Sequence, residues 1–213
     1  MNILEISWIS HACFKIKTES GKIIYLDPYE IPKSEEKADI IVASHSHSDH
    51  LSNSAIKAVM KDNTIILGPE TIKNKLKKFN GKGLKIGESL ELDDVLIHLT
   101  PAYTIQKSTH PKSNEWAGII VETEGKRIYH AGDTERIPEM KHLHKNIDLA
   151  FLPCGGTYTM DFEEASDAAI DIKPEILVPM HNWGKNLGEF KELMNKKDPS
   201  IQVQIIEDTP LKL

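Results

Sequence analysis

The sequence predicts an α+β fold of two mixed sheets covered by helices. Three observations carry that expectation. Strands with period-two alternation crowd the first quarter, strand-and-helix pairs follow from residue 52, and no Gly/Ser/Pro-rich linker or short-period repeat divides the 213 residues. A single domain over residues 1–213 is the economical arrangement.

Leu4, Ile6 and Trp8 alternate with polar neighbours, as do Phe14 and Ile16. Ile23-Ile24-Tyr25-Leu26 then runs into Asp27-Pro28. Such alternation suits half-buried antiparallel strands. Residues 38–43, ADIIVA, are apolar throughout, as in a strand buried on both faces. A helix over 52–61, a strand at Thr64–Leu67 and a helix over Glu70–Phe79 come next. Leu90–Leu92, Val95–Thr100, Trp116–Glu122 and Arg127–His130 read as strands, the last two joined through Glu124-Gly125. A short helix is expected over Glu135–Leu143. It is followed by strand Asp148–Leu152, helix Asp161–Ile172, strand Glu175–Pro179, helix Lys185–Asn195 and strand Gln202–Ile206. The helix at 161 is well marked. Asp161 and Glu164 have the spacing of a capping box, Ala165, Ala168, Ala169 and Ile172 share one face, and Pro174 ends it.

Net charge is −6 and no basic stripe is visible, which argues against a nucleic-acid partner. Lysines at 73–78 fit a solvated helix face. The first sixteen residues do not read as a secretory signal, and no apolar window reaches the ~18 residues of a spanning helix. The two cysteines, Cys13 and Cys154, lie far apart and do not suggest a disulfide framework. A cytoplasmic protein without membrane insertion is the expectation, with homo-oligomerisation left open.

The chemistry concentrates at residues 44–50, SHSHSDH, directly after the apolar run. Imidazole suits zinc, iron, nickel or manganese, and a carboxylate adds a hard oxygen donor. His45 and His47, two apart, point to one side of an extended segment, while Asp49 and His50 follow where the chain turns. Two pairs from one loop suggest two neighbouring metals. Further donors stand past other strands, at His130-Ala-Gly-Asp133-Thr134 and Met180-His181-Asn182. Loops at strand ends are where sites are commonly built.

The run His45-x-His47-x-Asp49-His50, then Gly132-Asp133-Thr134, then His181 resembles the metallo-β-lactamase fold superfamily of hydrolases. Leu26-Asp27-Pro28, Thr100-Pro101-Ala102-Tyr103, Tyr129–Thr134 and Leu152–Thr157 resemble its small lactonase-like branch, related to ascorbate-6-phosphate lactonase and the N-acyl-phosphatidylethanolamine phospholipases. The resemblance implies an αββα four-layer sandwich with the site on the rim between the sheets. It further implies that His45 and His47 bind one metal, that Asp49, His50 and His181 bind a second, and that Asp133 bridges them. Zinc is the first expectation, with manganese, iron or nickel as alternatives. Two departures stand out. Thr104 occupies the place where many relatives carry a third histidine for the first metal, and His110 is the candidate substitute. Leu51-Ser52 replaces the usual Gly-Gly.

The activity so implied is a metal-dependent hydrolase. A hydroxide activated by two metals attacks a small ester, lactone or phosphodiester, with Asp49 orienting it and Asp49, His11 or Tyr103 as proton donor. Lys107 and Lys112, in the polar segment 104–115, favour an anionic small-molecule substrate. The alternatives are a nuclease of the same fold and a non-catalytic metal- or ligand-binding module. The first is disfavoured by the short stretch from Asp133 to His181, the second by the retained Asp49 and Asp133. A diiron flavoprotein would need a carboxylate at position 47. Asp27 is a candidate to orient a ligand histidine, and His130 a support for the Gly-Asp turn. His98 reads as structural, His142 and His144 as solvated, and Cys154 as a small buried thiol.

Overall fold

A computed structural model describes residues 4–213. It comprises two compact units, one reaching Glu88 and including Ile206–Leu213, the other spanning Ser89–Ile205.

In the first unit β1 (Glu5–Ser10), β2 (Cys13–Lys17) and β3 (Ile23–Leu26) pair antiparallel, as their alternation dictates. β3 then pairs parallel with β4 (Ile40–Val42), which pairs with β5 (Ile65–Pro69) and that with β6 (Lys82–Leu84). β14 (Leu211–Lys212) adds to β1, giving the order β14-β1-β2-β3-β4-β5-β6. Ile6, Phe14, Ile16, Ile24, Leu26 and Ile41 are fully buried. Each such side chain stabilises the sheet by about 1.5–3 kcal/mol relative to exposure. Helix α1 (Asn53–Val59) is capped by Ser52 and buries Ala55, Ile56 and Val59.

The second unit repeats this scheme. β7 (Ser89–Leu92), β8 (Val95–Pro101), β9 (Ala117–Thr123) and β10 (Lys126–His130) pair antiparallel. β11 (Leu149–Pro153), β12 (Ile176–Met180) and β13 (Gln202–Val203) follow in parallel, in the order β13-β12-β11-β10-β9-β8-β7. Between the parallel strands run α3 (Phe162–Ile172) and α4 (Leu187–Lys197). The alanine face expected of α3 is buried, with Ala165, Ala168, Ala169 and Ile172 in the core beside Leu152, Leu177, Phe190 and Met194.

Four details differ from the sequence expectation. Residues 70–79 form a short α-helix, α2 (Lys73–Leu76), flanked by 3-10 turns. Ile72, Leu76 and Phe79 are buried and the lysines exposed, but like charges at Lys73 and Lys77, one turn apart, disfavour one continuous helix. The stretch before residue 143 is a 3-10 helix, Pro138–Leu143, with proline setting its start. β6 and β14 were not expected. They are three- and two-residue edge strands, too short to show a period. Half of the capping box forms: Asp161 accepts from the Glu164 amide, whereas the Glu164 carboxylate accepts from the Arg136 amide. Among the described residues no helix is long and apolar enough to cross a membrane.

The candidate ligands follow C-terminal ends of strands. SHSHSDH leaves β4, Asp133 follows β10 and His181 follows β12. In open α/β sheets this is the end at which ligands bind. Gly68, in β5, lets the first of these loops start where it does. A Cβ there would lie 3.0 Å from the Ala43 carbonyl and 2.9 Å from Ile72 Cδ1. Gly68→Ala is therefore expected to cost about 1–3 kcal/mol in chemical denaturation.

Candidate metal centre

In the first unit the organising group is Asp27, fully buried at the end of β3. Its Oδ1 accepts from the Ser44 amide at 2.6 Å. Its Oδ2 accepts from the Ser44 hydroxyl at 2.7 Å and from His50 Nδ1 at 2.6 Å. Because a carboxylate only accepts, His50 holds its Nδ1 proton toward Asp27, which leaves the Nε2 lone pair for a cation. The Ser44 hydroxyl, having given its proton to Asp27, accepts from His45 Nδ1 at 2.9 Å. One carboxylate thereby sets the tautomer of two histidines.

The loop itself is a tight turn. The His50 and Leu51 amides donate to the His47 carbonyl at 3.1 and 2.8 Å, and the Ser52 amide donates to Pro28. His45 Nε2 and His47 Nδ1 come within 3.0 Å, and the His45 and His50 rings lie 4.1 Å apart. Lys75 Nζ steadies the loop from outside by donating to the Ser46 carbonyl. His11, at φ +50°, brings Nε2 within 3.3 Å of Asp49 Oδ2. The two proton-transfer candidates of this unit are thus adjacent.

In the second unit three buried donors converge. Asp133 Oδ2 lies 3.1 Å from His110 Nε2 and 3.2 Å from His181 Nε2. His110 is on the loop after β8, while Asp133 and His181 follow β10 and β12. His130 Nδ1 accepts from the Gly132 amide, holding the turn that presents Asp133.

Thr104 has its polar groups occupied within the loop. Its hydroxyl donates to the Lys107 carbonyl at 2.5 Å and accepts from the His110 amide at 3.3 Å, while its own amide donates to the His110 carbonyl at 2.7 Å. Thr104 thus closes the loop at whose base His110 sits. The tip is held by Glu135, which sequence reading missed. This buried carboxylate accepts from the Ile105 amide at 2.5 Å, the Gln106 amide at 2.7 Å and Lys107 Nζ at 2.8 Å. Burial alone would raise the Glu135 pKa, but Lys107 and the two amides outweigh it and hold the carboxyl below its usual range. Glu135 stands two residues past Asp133, the one sequence cue to its role.

Tyr103, a candidate proton donor from sequence, is buried. Its hydroxyl donates to Glu139 Oε2 at 2.9 Å and receives Lys112 Nζ at 3.2 Å. Burial foremost raises its pKa. Lys107 and Lys112, read from sequence as substrate-facing charges, form ion pairs with Glu135 and Glu139. Burial pushes the Cys154 thiol up to about 12, consistent with an unreactive core thiol. His98 bonds Ser89 across β7 and β8, while His142 and His144 are exposed.

The model of the Beta-lactamase superfamily domain matches residues 5–181. The chain belongs to this superfamily. Its relatives include a metal-dependent hydrolase of Lysinibacillus sphaericus, 30% identical over 99% of this chain and 96% of that one. A crystal structure of a candidate metal-dependent hydrolase from Parabacteroides distasonis is 38% identical, with a TM-score of 0.88 over 97% of this chain and 94% of that one. A metallo hydrolase from Ignicoccus hospitalis is 27% identical, with a TM-score of 0.81 over 99% and 98%. The two mixed sheets with flanking helices are thus those of the metallo-β-lactamase fold.

The side chains of this superfamily member fit a divalent cation. Asp133 Oδ2 lies close to one imidazole nitrogen of His110 and one of His181, all three buried, and carboxylate oxygen and imidazole nitrogen are donors of the kind zinc takes. Donor atoms of Asp27, His45 and His50 also lie within 4.8 Å of one another. Of these, Asp27 is already engaged in orienting the other two.

Two variants test this architecture. Asp27→Asn removes the acceptor that fixes His50 and Ser44, and zinc affinity measured against a chromophoric chelator should fall about 10- to 100-fold. Glu135→Gln releases the loop tip, and trypsin cleavage after Lys107 should accelerate about tenfold, the equivalent of ~1.4 kcal/mol of local opening.

Proposed function

We propose that this metal-dependent hydrolase uses two divalent cations, zinc foremost, to cleave a small ester, lactone or phosphodiester. His45, His47 and His110 would hold one cation, Asp49, His50 and His181 the other, and Asp133 both. The observation that carries the reading is the convergence of His110 and His181 on one oxygen of Asp133, in a chain whose relatives are metal-dependent hydrolases. The substitution of Thr104 leaves the donor count intact in this reading, because its loop supplies His110 from six residues on.

When bound, such cations lower the pKa of water toward neutrality and stabilise negative charge developing on a carbonyl or phosphoryl oxygen. The chain's own residues supply the rest. Asp27 fixes the tautomers of His50 and, through Ser44, of His45, so their donor atoms are oriented before anything binds. Asp49 is partly exposed beside His11, a pair able to hold a proton taken from water and pass it to the leaving group. With the Tyr103 hydroxyl committed to Glu139, the proton-donor role falls to Asp49 and His11.

Elemental analysis after reconstitution with zinc, and separately with manganese, tests the stoichiometry. Two metals per chain are expected in the native protein and close to one in His110→Ala. One metal per native chain would sink the dinuclear reading. Asp49→Asn should lower kcat on an activated ester by about 10²- to 10⁴-fold. Unchanged turnover in that variant would remove Asp49 from the chemistry, and tight ligand binding without turnover in the native protein would favour the binding-module alternative.

A further inference from the structure

Beside His181 the second unit carries an aromatic surface that the proposed chemistry does not use. Trp183 and Tyr158 are 55% and 43% exposed, among the few large apolar side chains so open to solvent. Their rings meet edge to face, with centroids 6.0 Å apart and planes at 63°. The indole also meets the His181 ring at 5.6 Å and 82°.

Trp183 is held in place rather than loosely displayed. Its backbone adopts φ +51°, a left-handed conformation that a bulky residue rarely takes. Asn182 braces the turn, with its amide side chain donating to the Lys185 carbonyl at 2.8 Å. The indole rests against Gly155, where an added Cβ would collide with Trp183 Cδ1 and the His181 carbonyl. Tyr158 is linked to the other ligand loop, since Thr109, the residue before His110, donates its hydroxyl to the Tyr158 carbonyl at 3.5 Å. The aromatic pair thus adjoins both loops whose histidines meet Asp133.

An indole fixed by a strained turn and a glycine floor, yet more than half open, serves little purpose as core. Strained backbone of this sort concentrates where ligands are clamped. We propose that Trp183 and Tyr158 form a stacking subsite for a flat, apolar ring carried by the substrate next to the bond that is cleaved. The inference rests on reading His181 and Asp133 as part of the hydrolytic centre. It narrows the substrate to esters or phosphate esters bearing an aromatic or comparably planar group.

The test uses three phosphonates with the same charged head: phenylphosphonate, cyclohexylphosphonate and methylphosphonate. Binding is measured calorimetrically on the zinc-loaded protein. Phenylphosphonate should bind about 10- to 100-fold more tightly than methylphosphonate, the size of a typical stacking contribution. It should also exceed the cyclohexyl compound, which is apolar but not flat. Trp183→Ala should bring the phenyl-to-methyl ratio close to one, Tyr158→Ala should lower it in part, and Trp183→Phe should restore most of it. A wild-type ratio near one, a preference that survives Trp183→Ala, or equal binding of phenyl and cyclohexyl compounds would each overturn the subsite. Saturation transfer from protein to phenyl protons in the metal-free protein reads the ring contact separately. If zinc gives none of the phosphonates added affinity, the metal-centre reading fails, and loss of that transfer in Trp183→Ala still decides the subsite.

Discussion

The buried carboxylate of Asp27 is the constraint on which the candidate centre of the first unit depends. A carboxylate removed from water is costly unless its oxygens are fully engaged. Here both are engaged, by the amide and hydroxyl of Ser44 and by His50. The same three bonds fasten the end of β3 to the loop after β4 and dictate which nitrogen of each histidine faces outward. Stability and donor orientation are coupled through one group, because the bonds that neutralise the cost of burial are those that orient His50 and Ser44.

The second unit solves the same problem differently. Asp133 and His181 follow parallel-paired strands, but His110 hangs on a ten-residue loop outside the sheet, tied by an isolated β-bridge between Thr104 and Pro111. Short polar ties replace the sheet. Thr104 closes the base, Glu135 grips two successive amides at the tip, and Lys107 and Lys112 pair with Glu135 and Glu139. Charge-assisted bonds to a buried acceptor are the stronger kind, which is what a loop lacking a ladder needs in order to present one imidazole reliably.

Much of this was legible in the sequence. The apolar run at 40–43 located the strand, and the donors behind it located the loop. The Gly-Asp turn and Met180-His181 lay past equally apolar strands. The departure at Thr104 was visible, as was His110, but sequence spacing could not show that the threonine hydroxyl closes the loop. Tyr103 read as a proton donor and the two lysines as substrate-facing charges, because nothing local reveals partners some thirty residues away. Glu135 and Glu139 resemble ordinary surface acids for the same reason. The segment at 70–79 misled through its apolar spacing, which persists although the backbone winds as three short turns. Trp183 escaped notice because left-handed backbone is signalled by glycine, and here a tryptophan adopts it.

His11, Asp27, His181 and Trp183 share that left-handed backbone, with φ between +48° and +51°. Glycine would adopt it without strain, yet glycine carries no donor and no ring. In the proposed reading, the chain therefore holds this strain at positions its chemistry uses, as well as at seven other non-glycine residues among those described. Glycine at Trp183 would relieve the strain but remove the indole's contacts with Gly155, His181 and Tyr158, and at Asp27 it would remove the bonds to Ser44 and His50. On the proposed reading, durability and chemistry pull in opposite directions at these four residues.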